Sequence, residues 1–133
     1  MNIQDILNTT DRFAANVGCR VTEVDATHAV AEMTVTKEHL NAGGVCQGGA
    51  LFTLADLAMA ALMNYQNNLT FGINSNVMFL SSAVEGDRLR AEAVPVNDHR
   101  KLPAIEVQVT NQEGCLVCHV TGMGYRKNAP LAK

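Results

Sequence analysis

The stretch NAGGVCQGGALFTLADLAMAALMN, residues 41–64, decides the fold. It opens on glycines and polar groups and continues as a helix that is apolar on every side. Between Ala50 and Met63 only Thr53 and Asp56 interrupt the apolar run. A helix of that kind is buried, either in a membrane or in the middle of a protein. Its longest unbroken apolar segment, Leu57 to Met63, falls far short of the roughly 20 residues that span a bilayer. The cover must therefore come from protein. An ionised Asp56 in such surroundings is costly unless it is paired or used. No Lys or Arg stands at i±3 or i±4 to pair with it.

Working outward, the flanks supply the cover. Residues 2–16 carry Ile3, Ile6, Leu7 and Phe13 at near-helical spacing, which predicts a short amphipathic helix ended by Gly18. Ala29, Ala31, Met33 and Val35 alternate with polar neighbours, so residues 20–26 and 28–36 read as a hairpin turned at Asp25-Ala26-Thr27. After a loop over 37–47 and the helix from about Gln47 to Asn64, the chain turns to strands at 71–81, 88–96, 105–109 and 116–125. Asn111-Gln112-Glu113-Gly114 is a strong hairpin turn. Gly122 and Gly124 in the last strand point to a bend or to close approach of another chain. The pattern predicts an α+β domain over residues 1–127, an antiparallel sheet of about six strands curled around one long buried helix. The last four strands read as consecutive hairpins, and residues 128–133 as a disordered tail. The sheet edge and the second side of the helix need a partner, which predicts a dimer.

Composition excludes several function classes. The chain has 133 residues, 47% of them hydrophobic, and a formal net charge of −3. There is no basic excess to neutralise nucleic-acid phosphates. The N-terminal residues lack the basic and apolar regions of a signal peptide, so a cytoplasmic location without membrane attachment is expected. Cys19, Cys46, Cys115 and Cys118 should then stay reduced. Cys115-Leu-Val-Cys118-His119 spells a c-type haem attachment motif. In a strand, however, that spacing sets the two cysteines on opposite faces, and no second ligand pair exists for zinc. No metal or cofactor is expected. Cys46 with His39 is a weak candidate for a nucleophile pair and is better read as packing.

The chemistry concentrates at the helix start. The first N–H groups of a helix lack internal acceptors and the dipole makes that end positive. Gly48 and Gly49 remove side chains, so a ligand could meet those N–H groups directly, as an anion or oxyanion would. The alternative is that the glycines only permit tight loop–helix packing. Asp56 lies eight residues beyond Gly48, roughly 12 Å along the axis. Its carboxylate cannot reach a group bound at its own helix N-terminus. Two antiparallel copies of the helix about a two-fold axis would bring Asp56 of one beside Gly48 of the other.

These residues resemble a known family. His39, Asn41, Gly44, Gly48, Gly49, Leu54, Ala55 and Asp56 match the signature of hotdog-fold acyl-CoA thioesterases of the phenylacetate-degradation (PaaI-like) group. A second motif follows in order through Phe79, Leu80, Gly86, Asp87, Leu89, Ala91 and Ala93. The resemblance runs over about residues 15–126 and implies a hotdog fold, built as a homodimer and often as a homotetramer. It implies hydrolysis of an acyl- or aryl-CoA thioester, with coenzyme A entering only as part of the substrate. Asp56 would be nucleophile or general base, Gly48 N–H the oxyanion donor, and Asn41 the residue that positions water or the carbonyl. Two departures stand out. Gln47 replaces the usual His before the glycine pair. Gly72 stands where Ser or Thr, about sixteen residues after the Asp, would orient it. Asn74 or Asn76 could substitute, both expected on the face of Gly72. Ser81 and Ser82 replace a frequent Arg-Pro, leaving Arg100 and Lys101 as candidates for coenzyme A phosphates. Gln47 and Gly49 complete the expected substrate-binding set. The alternatives are a non-hydrolytic acyl-CoA-binding or regulatory module and, less favoured because the helix offers no His, a hotdog hydratase or dehydratase.

Overall fold

The computed structural model describes residues 2–132. Met1 and Lys133, the outer ends of the expected domain and tail, lie outside the described residues. The N-terminal helix is two helices, α1 (Ile3–Thr10) and α2 (Arg12–Val17). Asp11 divides them. It ends α1 with a non-helical backbone, and its Oδ1 accepts from Ala14 N at 3.1 Å to cap α2. The hairpin β1 (Arg20–Val24) and β2 (Ala29–Thr34) turns at Asp25, whose Oδ1 accepts from Thr27 N and His28 N. The long helix α3 spans Gly48–Met63, and β3 (Thr70–Phe79), β4 (Arg88–Asn97), β5 (Ala104–Thr110) and β6 (Leu116–Arg126) follow.

All pairings are antiparallel, in one sheet of order β1-β2-β4-β5-β6-β3. The α+β hotdog expectation is met: six strands curl over one helix. The expected run of four hairpins is not. Strand β3 does not pair with β4. It crosses to the far edge against β6, while β4 takes the place beside β2. The connection over 80–87 makes the crossing possible because it is itself anchored. Ala83 is buried and accepts from Cys46 N, and Asp87 accepts from Val84 N and Gln112 Nε2.

The sheet's concave face covers α3. Leu54, Ala55, Ala58 and Ala61 of the helix are fully buried, as are Ala29, Ala31, Ala91, Ala93, Val107 and Val120 of the sheet. The alanines let backbone and helix approach closely. Gly122 and Gly124 do the same, and what approaches is the chain's own helix. A Cβ on Gly122 would stand 2.6 Å from Met59 Sδ, and one on Gly124 2.5 Å from Met63 Sδ. One face of α3, carrying Gly49, Phe52, Thr53, Asp56 and Ala60, is left partly or fully open in the single chain. The helix is apolar all round, yet its sheet encloses only part of it.

The two sheet edges differ. Along β1, Asn8 of α1 acts as a surrogate strand: its Oδ1 accepts from Val21 N at 2.8 Å and its Nδ2 donates to Val21 O at 2.9 Å. Along β3, ten residues long, the outer side has no partner among the described residues, and Phe71, Ile73, Met78 and Phe79 are exposed. The segment expected to be a disordered tail is tied down. Leu69 N donates to Ala129 O, Asn67 and Ala132 exchange two hydrogen bonds, and Leu131 packs against the core. Among the described residues no helix is long and apolar enough to cross a membrane.

Candidate active site

The loop before α3 is held by its own backbone and by Asn41. Asn41 Oδ1 accepts from Gly43 N at 2.9 Å and Val45 N at 3.3 Å, so the side-chain oxygen is consumed in shaping the turn. Its Nδ2 has no protein partner among the described residues and remains available as a donor. His39 stitches the same loop to α2: its Nδ1 accepts from Thr36 N at 2.9 Å, and its Nε2 contacts Val17 O. With both ring nitrogens engaged by backbone groups, His39 is a strut of the loop rather than a group facing the cleft. Cys46 next to it is buried, and burial pushes its thiol pKa up, opposite to what a nucleophile needs.

Gln47 occupies the N-cap position without a capping side-chain bond. The N–H groups of Gly48 and Gly49 therefore have no acceptor among the described residues. The two glycines are not equivalent. Gly48 is roofed by the Phe79 ring, 2.9 Å from where its Cβ would stand, so packing alone accounts for it. Around Gly49 a Cβ would find only Gln47 Cγ at 3.8 Å. Packing gives no reason for that glycine. The helix start borders a 480 Å³ cleft lined by Asn41, Gln47, Gly48, Phe79 and Ser82 among others.

Two turns further on, Asp56 sits on the open face of α3, not buried as the apolar run led one to expect. It lines a 290 Å³ hollow with Phe13, Phe52, Leu57 and Asp11. These neighbours strip water from the carboxyl and hold its pKa above the ordinary value of 3.8, and the Asp11 charge adds to the effect. The carboxylate reaches solvent, yet its surroundings are apolar enough to disfavour the charge. No hydrogen bond holds it within the chain among the described residues.

The remaining expected site residues scatter. Gly72 does face the helix side of the sheet, opposite Gly124. Asn74 and Asn76 do not share its face. A bulge between Gly72 and Asn74 sets them opposite Met123 and Thr121 on the outer face. The hydroxyl on the helix side is Ser75, opposite Gly122 and near Met59. Strand alternation could not reveal this, because one inserted residue reverses every later side chain. Arg100 lines a 220 Å³ hollow with Asp98 and Arg126 beside Leu62 and Met63, at the C-terminal end of α3. That is roughly 20 Å from the helix start. Lys101 stands over the Tyr125 ring, its Nζ 5.1 Å from the centroid. Neither joins Gly48 within one chain. Among the described residues no three His, Cys, Asp or Glu side chains gather as a metal site.

Residues 43–118, which carry the end of this loop after Asn41, the helix and strands β3, β4 and β5, match the thioesterase superfamily model. The chain belongs to the thioesterase superfamily. It is 36% identical over 126 residues to a putative esterase of Archaeoglobus fulgidus, covering 95% of this chain and 82% of the relative. It is also 31% identical over 116 residues to the acyl-coenzyme A thioesterase PaaI of Escherichia coli, covering 87% and 83%. The solved structure of E. coli PaaI, from the phenylacetic acid degradation operon, superposes with a TM-score of 0.91 at 28% identity, covering 95% of this chain and 91% of that one. The superfamily match begins at Gly43 and leaves out α1 and α2. The break between those two helices and α2 nevertheless supply Asp11 and Phe13 to the hollow around Asp56.

Proposed function

We propose that the protein hydrolyses an acyl- or aryl-CoA thioester to the free acid and coenzyme A, at sites formed between two copies of the chain. One observation carries the reading. The unpaired N–H groups at Gly48 and Gly49 and the desolvated carboxylate of Asp56 lie on one helix, roughly 12 Å apart. Only an antiparallel second copy brings the two halves together. The open face of α3 and the unpaired edge of β3 offer the surface for that copy. The likeness to E. coli PaaI, an acyl-coenzyme A thioesterase by name, supports the substrate class.

The chemistry follows from the groups. The thioester carbonyl oxygen rests on the N–H of Gly48, with Asn41 Nδ2 positioning water or the carbonyl. Water attacks the carbonyl carbon and Asp56 of the other copy takes its proton; a raised carboxyl pKa makes it the better base. The developing oxyanion is held by the helix start. Collapse breaks the C–S bond, and the coenzyme A thiolate leaves and takes up the proton. Thioesters need little more, since the leaving thiolate is good and no metal is called for. Gln47 contributes a hydrogen bond but no titration. Homodimers, paired further into homotetramers and acting in the cytoplasm, complete the reading.

A thiol-release assay over a panel of acyl- and aryl-CoAs tests it. Wild type is expected to hydrolyse at least one thioester. Asp56→Asn should lower the rate by about 10²–10⁴, the range for a general base, with the oligomer mass unchanged. Full activity in Asp56→Asn would overturn the mechanism. Binding without turnover in wild type would favour the non-hydrolytic acyl-CoA-binding module.

A further inference from the structure

Phe13 is 69% exposed, the most exposed of the large hydrophobic side chains. Its neighbours are specific. On one flank lies the 290 Å³ hollow that contains Asp56, with Phe52 and Leu57. On the other lies a second hollow of 280 Å³ that contains Gly49, with Val17 and Leu40. Thr53 is shared by both. Phe13 is thus the wall between the acid of α3 and the open N–H end of the same helix.

We infer that Phe13 closes the acyl compartment of the active site and restricts it to compact acyl groups. The inference rests on the composite-site reading above. In that reading Asp56 and Gly49 of one chain serve two different sites, so each Phe13 ring partitions the two sites of a dimer. Charge fixes which end of the substrate these hollows take. Among the described residues their ionisable lining is Asp11 and Asp56 on one side and Glu38 and His39 on the other, with no Lys or Arg. Coenzyme A phosphates would be repelled there. An uncharged acyl or aryl group fits the apolar walls. Each hollow is at or just below the roughly 300 Å³ lower end of ligand pockets, whereas removing the ring would join them. Phe13 also lies outside the span matched by the superfamily model. That is where a device for choosing among acyl groups, rather than for cleaving them, is expected.

The test is the acyl profile of kcat/KM over acetyl-, butyryl-, octanoyl-, palmitoyl- and benzoyl-CoA for wild type, Phe13→Ala and Phe13→Trp, with oligomer mass and melting temperature measured on each. Phe13→Ala is expected to raise the octanoyl-to-butyryl ratio by roughly tenfold or more, the discrimination worth of a methylene or two in an apolar pocket. Phe13→Trp should lower it, and the exposed position should leave folding intact. An unchanged profile with intact oligomers would overturn the inference, as would a change in oligomer mass in Phe13→Ala, which would make Phe13 an interface residue. Wild type that cleaves none of the five would instead remove the thioesterase reading itself, and this inference with it.

Discussion

Gly48 and Gly49 can be separated by one methyl group each. In Gly49→Ala the new Cβ meets nothing closer than Gln47 Cγ at 3.8 Å, an ordinary contact, and the backbone there is helical. Helix propensity then favours alanine by up to about 1 kcal/mol, less in the first turn. A gain of about 0.5–1 kcal/mol converts to a melting temperature roughly 2–5 °C higher for a chain of this size. Activity should move the other way. A methyl beside the open N–H groups displaces the substrate carbonyl, and loss of one oxyanion donor, worth about 10²–10³ in kcat, sets the ceiling for the effect. Gly48→Ala is a different perturbation, because its Cβ would stand 2.9 Å from the Phe79 ring and force that exposed side chain to swing away. It should gain little stability or lose some. Thermal melts together with the thiol-release assay read both effects. A Gly49→Ala protein that melts higher and keeps full activity would refute the assignment of this helix start to the chemistry. One that melts lower would refute the claim that Gly49 is free of packing constraint.

Other expectations are independent of that pair. Burial holds the Asp56 pKa above 3.8, so the folded state binds that proton more tightly than the unfolded chain, and the residue costs stability once the pH rises through this range. Asp56→Asn should therefore melt higher than wild type at neutral pH, with the difference vanishing below pH 3.8, and the wild-type rate should fall as the pH drops through the raised pKa. Gly124→Ala drives a methyl to 2.5 Å from Met63 Sδ and 2.8 Å from Thr70 Cγ2, an overpacking that costs about 1–3 kcal/mol. Denaturant unfolding should show partial recovery in the double variant with Met63→Ala, and strict additivity would sink the explanation. Asn8→Ala removes two hydrogen bonds to Val21, leaving edge groups of β1 to water, at about 1–2 kcal/mol. Faster amide exchange at Val21 is the sign to look for.

Much of this was legible in the residues. The apolar run of α3 and the alternation in 29–35, 88–96 and 105–109 sufficed for a sheet wrapped on a helix, since period and burial are local properties of a chain. Strand order was not legible. Nothing in 71–81 says that β3 crosses to β6, because register against a distant strand is set by the whole sheet and by the anchored 80–87 connection. The bulge after Gly72 was equally hidden, and it moved the inward hydroxyl to Ser75. At the site, the glycine pair and Asp56 could be read from residue type and spacing. The different surroundings of Gly48 and Gly49 could not, because Phe79 arrives from 31 residues further along the chain than Gly48. In the sequence Phe13 is only one apolar position of an amphipathic helix. Its exposure beside Asp56 depends on the break at Asp11.

The unequal edges of the sheet bear on how large an assembly can grow. Strand β1 is finished by Asn8, whose amide imitates the next strand and then stops. Strand β3 has no such terminator among the described residues. A sheet with a single extendable border can be extended once. Two copies meeting β3 to β3 would each spend that border and leave only the two Asn8-sealed margins facing water. Growth along the hydrogen-bonding direction would end at two, with no template left for a third chain. A small side chain on the first helix, far from any chemistry, would thus separate a finite complex from a fibre.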